Sequence, residues 1–205
     1  MPAVEQETVV RRGWTAAQVR DLIDESRAWP RYELIDGELL VTPSPGVPHQ
    51  MAVGAFFELL KSFVDREGLG HLVMSPADLE LIRDSITQPD LFVFLDSAPA
   101  DPEKGLTWRD INTLVLAIEI ISPSSIRNDR VIKRDFYMDK AGISEYWVVD
   151  LDARIVERWT RSSATPMIDR ARLRWQPSGA TAPLVIDLET LFEEIRKASG
   201  MPRRI

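Results

Sequence analysis

Two acids in this sequence stand where an acid is costly. Glu119 is the one charge in the run Leu114 to Ile121, which is otherwise almost wholly apolar. Such a run reads as a central strand covered on both faces, and a carboxylate there needs a partner or a bound cation. Alone, Glu119 admits three explanations: an arginine partner, a solvent-exposed strand end, or a metal. Asp90 follows Pro89 and opens the apolar run Leu91 to Leu95. Alone, it reads equally as a turn residue before a strand. Together the two acids point further. If their strands pair antiparallel, an Asp at the mouth of one meets a Glu late in the next. Two carboxylates with no base between them repel, and a divalent cation resolves that repulsion while keeping open positions for water. The chemistry would be hydrolysis by metal-activated water.

A third group follows Glu119. Arg130, Lys133, Tyr137 and Lys140 recur at helical spacing. The plain reading is a solvated helix face. The sharper one turns Lys133 back over Glu119, where an ammonium favours hydroxide and offsets transition-state charge. Glu38, just after the turn signal Asp36-Gly37, is a candidate third carboxylate and metal ligand. His49, at the start of a long helical pattern, is placed to touch phosphate or water, or simply to begin the helix. His71 reads as a loop residue.

The elements that must position these groups can be traced along the chain. Residues 1–12 read as a flexible leader. Thr15-Ala16-Ala17-Gln18 has the form of a capping box, so a helix should run to about Ser26. Tyr32 to Val41 forms a hairpin about Asp36-Gly37, a type I′ turn signal. A helix is expected from about His49 to Arg66, with Gly68 ending it. Strands follow at Leu72–Met74, Leu79–Ile82 and 89–95, then a loop over 96–110, then the strand 114–121. A helix should occupy the stretch from Ser122-Pro123-Ser124-Ser125 to Ala141, closed by Gly142. Tyr146–Asp150 and Arg154–Thr160 make a second hairpin. Residues 161–183 read as irregular, with one strand near Leu173–Gln176. Leu184–Leu188 and a helix over 189–198 complete the chain. The pattern predicts a single mixed α/β domain over 1–205, with a central mixed sheet flanked by helices and added hairpins.

Composition narrows the partners. The 205 residues contain no cysteine, which excludes disulfides and thiolate metal sites and leaves hard oxygen ligands for Mg²⁺ or Mn²⁺. No apolar run is long enough for a membrane span, and the first residues lack a signal-peptide pattern, so a cytoplasmic location is expected. The formal net charge of -7 argues against a general nucleic-acid coat protein. It does not exclude a nuclease, because carboxylates of a metal site contribute to it and the cation reverses the local sign.

Several pieces of the chain together carry a family likeness. They are Tyr32-Glu33-Leu34-Ile35-Asp36-Gly37-Glu38, Pro43-Ser44-Pro45 with His49, Pro89-Asp90, and Glu119-Ile120-Ile121-Ser122-Pro123-Ser124. Asp129-Arg130 with Lys133 and Tyr137 follows, then Gly142-Ile143-Ser144-Glu145-Tyr146-Trp147-Val148-Val149-Asp150. In this order, over roughly 30–160, they resemble the PD-(D/E)XK nuclease superfamily, and within it the Uma-two family of bacterial proteins described as restriction endonucleases. The resemblance implies a restriction-endonuclease-like PD-(D/E)XK core, metal at Asp90 and Glu119 with Glu38 assisting, DNA as substrate, and a homodimer. His49 and Tyr137 would be accessory. One departure matters: the superfamily's lysine two residues after the Glu is Ile121 here. The resemblance moves that role to Lys133.

Two other readings stand beside a Mg²⁺-dependent endonuclease. One is a binding or scaffold module that keeps the fold without activity. The other is a glycosidase-like enzyme with Glu38 and Glu119 as an acid–base pair and no metal.

Overall fold

The computed structural model describes residues 11–26 and 29–202, so the leader expected at 1–12 lies outside the described residues except for its last two. Those two, β1 (Arg11–Arg12), pair with the hairpin strand β3 (Glu38–Thr42). Helix α1 (Ala16–Glu25) begins at the expected capping box: the Thr15 hydroxyl accepts the Gln18 amide, and Gln18 Oε1 accepts the Thr15 amide at 3.0 Å. Strands β2 (Arg31–Ile35) and β3 form the expected hairpin. Asp36 and Gly37 both take positive φ there, 54° and 74°, as a type I′ turn requires. Helix α2 (Val47–Glu67) starts two residues before His49 and ends at Gly68 in the left-handed conformation.

The central sheet has six strands in the order β4 (His71–Met74), β5 (Leu91–Phe94), β6 (Leu116–Ile120), β7 (Glu145–Asp150), β8 (Ile155–Thr160) and β9 (Met167–Asp169). His71 thus opens a strand rather than lying in a loop. Only β6 and β7 run parallel, joined by the helical crossover through 126–140. The sheet alternation sorts its apolar residues between two cores. Leu91, Val93, Ile118, Ile120 and Trp147 face α2, the β-ribbon β10 (Arg172–Trp175) with β11 (Leu184–Asp187), and α3 (Leu188–Ser199). Phe92, Ala117, Ile121, Tyr146 and Val148 face the hairpin and the crossover.

Three expectations change. Leu79–Ile82 is not a strand; only Leu79 bridges, to Thr87. The region 161–183 holds β9 and β10 rather than one strand. The crossover is not a plain α-helix: Asn128–Lys133 and Phe136–Lys140 are wound as π-helix. It is no basic surface stripe either, since Lys133 and Tyr137 are buried and Arg130 is ion-paired to Asp150 and Glu157. Among the described residues no helix is long and apolar enough to cross a membrane.

Candidate active site

Asp90 and Glu119 owe their meeting to the β5–β6 register. The strands are antiparallel, with Leu91 opposite Ile118. Continued one step, that register brings Asp90 beside Glu119, and both line one cleft. The Asp90 carboxylate also reaches across the ladder, where Oδ2 accepts the Ile120 amide at 2.9 Å. Asp90 lies just outside β5, so its side chain takes an amide that the ladder no longer uses.

The crossover brings Lys133 to the same place. Its Nζ donates to Glu119 Oε1 at 3.0 Å and lies 2.8 Å from Glu33 Oε2 and 3.4 Å from Asp129 Oδ1. Glu33 belongs to β2, and its other oxygen accepts the Gln88 amide at 2.7 Å. One buried carboxylate therefore bolts the lysine-bearing helix to the segment that leads into Asp90. Tyr146 on β7 fixes the crossover from beneath, its hydroxyl donating to the Asp129 carbonyl at 2.9 Å.

Two further basic residues face Asp90. His49 Nε2 lies 3.2 Å from Asp90 Oδ1, and Arg31 Nη1 lies 3.4 Å from the same oxygen. The Arg31 guanidinium also sits 4.6 Å above the Trp29 ring. The expectation of two acids with no base nearby is thus corrected: each acid has its own basic neighbour, yet the balance stays negative. Glu33, Asp90, Glu119 and Asp129 are all buried at the cleft, against Lys133 and Arg31 as permanent cations.

The proton affinities record that surplus. Burial pushes the Glu119 carboxyl well above the usual range; Lys133 opposes this, while Asp129, Asp90 and Glu33 add to it. Asp129 is raised to about 6 by the same burial, with Lys133 again opposing. Burial would also raise Asp90, but the His49 contact, the Ile120 amide and Lys133 prevail and hold it below its ordinary value. Lys133 loses solvation too, yet Glu119, Glu33 and Asp129 outweigh that loss and keep it charged.

Other candidates lie elsewhere. Glu38 does not line the cleft. It shares a hairpin face with Glu33 but pairs with Ile35 at the turn end, one strand over and two residues further out. That is roughly 7 Å along the strand. The carboxylate at the cleft is Glu33, and sequence alternation alone puts both acids on the same face. Tyr137 is fully buried behind Lys133, its ring 5.0 Å from that of Tyr146, and its phenol is pushed well up by burial and by Glu119. It packs the base of the site and does not line the cleft. Arg31, Glu33, Gln88 and Asp129 were not assigned to the site from sequence. The available signals were Glu33, an acid alternating with the apolar Ile35, and Asp129, four residues before Lys133.

The donor set suits a hard divalent cation in part. Among the described residues no group of three or more His, Cys, Asp or Glu is arranged to hold an ion by itself. A small hard ion such as Mg²⁺ keeps several waters and is often held by one or two carboxylates plus substrate phosphates, so two strand acids suffice in kind. Four buried acids against two permanent cations also leave a surplus of acids, which a divalent ion would relieve.

Comparison with known proteins gives a family and a fold. Residues 16–194 match the model of a family named Uma2, described as "Putative restriction endonuclease". A crystal structure described as a putative nuclease belonging to DUF820, from Anabaena variabilis ATCC 29413, superposes with a TM-score of 0.66 at 22% identity. The match covers 89% of this chain and 99% of that one, and at this identity the likeness is one of fold. No curated protein matches the sequence.

Proposed function

We propose that this chain, which belongs to the Uma2 family of restriction-endonuclease-like proteins, hydrolyses phosphodiester bonds of DNA with the help of Mg²⁺ or Mn²⁺. The observation that carries the reading is the convergence of Asp90 and Glu119, from antiparallel strands, on a cleft that also holds Lys133, Arg31 and His49. Asp90 and Glu119 are the residues that would hold the ion. When bound, the ion supplies Lewis acidity to the phosphate and lowers the pKa of water.

The chain's own groups do the rest. Lys133, fixed by Glu33 and Asp129, presents an ammonium beside Glu119 and offsets charge that builds on the phosphoryl oxygens. Arg31, steadied by Trp29, and His49 face the same space from the Asp90 side and orient a phosphate there. Water attacks phosphorus in line and gives up a proton to solvent, the new P–O bond forms as the P–O3′ bond breaks, and the departing O3′ takes a proton from solvent. Ile121 cannot supply the missing strand lysine, being apolar, nearly buried and packed in the core. Lys133 reaches Glu119 from the helix instead.

The test is nicking of supercoiled plasmid with Mg²⁺ or Mn²⁺. Wild type should cut, while Asp90→Asn, Glu119→Gln and Lys133→Met should each lose at least a hundredfold in rate. Cutting by Glu119→Gln at the wild-type rate would contradict the assignment. No cutting by wild type would favour the inactive binding module.

A further inference from the structure

The cleft around Asp90 and Glu119 has a volume of about 160 Å³. At about 30 Å³ per water, that is the room of roughly five waters. It accommodates a phosphate group and its nucleophile, and it falls short of the about 300–1,000 Å³ typical of pockets that enclose a small molecule. The nucleosides attached to a bound phosphate must therefore lie elsewhere.

A neighbouring groove shares His49 and Ser122 with the cleft and has a volume of about 620 Å³. Its walls are mainly apolar: Pro123 and Ile126 follow β6, Leu151 lies in the β7–β8 turn, and Met201 follows α3. Ile126 is 41% exposed and belongs to none of the three core clusters, so its place at the groove is not explained by packing. Two acids line the groove: Asp150 is engaged by Arg130 at 2.8 Å and by the Ala153 amide at 2.8 Å, and Asp152 is exposed in the β7–β8 turn.

We propose that this groove receives one unstacked base of the substrate strand, beside the phosphate held in the cleft, and that the substrate is single-stranded or locally unpaired DNA. The inference rests on the phosphodiesterase reading. Aliphatic walls suit the flat face of a base and offer nothing to a phosphate. A base inside a duplex must first be unpaired and unstacked to enter, whereas a single strand does not bear that cost. The net charge of -7 favours the same substrate, because little affinity can come from a long track of phosphate contacts.

Fluorescence anisotropy of a dye-labelled 12-nucleotide DNA strand and of its duplex, with Ca²⁺ replacing Mg²⁺, tests this. The single strand should bind at least tenfold more tightly than the duplex. Ile126→Asp should weaken single-strand binding at least tenfold and leave duplex binding unchanged, which separates loss of the base site from general repulsion by a new charge. Ile168→Asp, at a similarly exposed position on β9, should bind as wild type. Equal or tighter binding of the duplex, or wild-type binding by Ile126→Asp, would overturn the proposal. This binding pattern in a protein that cuts nothing would uphold the groove and sink hydrolysis; cutting without the pattern would do the reverse.

Discussion

At the scale of residues, the site gathers most of its acids around one lysine. Glu33, Glu119 and Asp129 share Lys133, and all four side chains are buried. Asp129 is the member whose proton affinity is raised to about 6 from an ordinary 3.8, so it binds a proton more readily in the folded chain than in the unfolded one. A raised acid contributes stability that is fully present below about pH 4 and is lost as pH climbs through about 6. The full rise is equivalent to about 3 kcal/mol at most. In urea melts from pH 4 to 7.5, Asp129→Asn should therefore gain on wild type as pH rises, and a pH-independent difference would contradict this. Asp90 and Glu119 were legible in the sequence because each is an acid beside or inside an apolar strand. Glu33 was not, since Glu38 shares its face of the hairpin and only the position of the cleft along that hairpin decides between them. Arg31 and His49 were illegible as partners of Asp90 for another reason: 59 and 41 residues separate them from it, and nothing local marks the contact.

At the scale of elements, the crossover between β6 and β7 decides whether Lys133 arrives. Its π-helical turns place Asp129 and Lys133 on the buried side, and the Tyr146 hydroxyl holds the Asp129 carbonyl. Windings of this kind recur at functional sites. Tyr146→Phe leaves that buried carbonyl without its partner and should cost about 1–3 kcal/mol, with a loss of cutting rate measured at a temperature where the protein stays folded. Asp187→Ala makes the contrast. Asp187 caps α3 through the Thr190 amide at 2.9 Å, on the other core, so its loss should lower the melting temperature and leave the cutting rate unchanged. Equal rates for wild type and Tyr146→Phe would remove the crossover from the account. The long helices and the hairpin turn were legible from caps, periodicity and Asp36-Gly37. The π winding was not, because the spacing of Arg130, Lys133, Tyr137 and Lys140 fits an α-helix equally well, and burial by the hairpin is a tertiary event. The strand β9 escaped for a similar reason, lying among polar residues whose order depends on β8 beside it, whereas β10 was expected near Leu173–Gln176.

At the scale of the whole molecule, an acidic chain that handles a polyanion must bind it at few points. The cleft offers Lys133, Arg31 and His49, and Lys133 is already surrounded by acids. About two phosphate contacts give a slope near -1.4 for the logarithm of affinity against the logarithm of salt on single strands, at about -0.7 per contact. A slope steeper than about -4 would reveal a basic track that the account lacks. Everything else depends on whether Asp90 and Glu119 act as one ligand pair. The direct measurement is Mn²⁺ titration followed by calorimetry and electron paramagnetic resonance, on wild type, Asp90→Asn and Glu119→Gln. One ion should bind per wild-type chain, displaced by Mg²⁺ and absent from both variants. An ion that binds either variant as it binds wild type, or a wild-type chain that binds none, would contradict it.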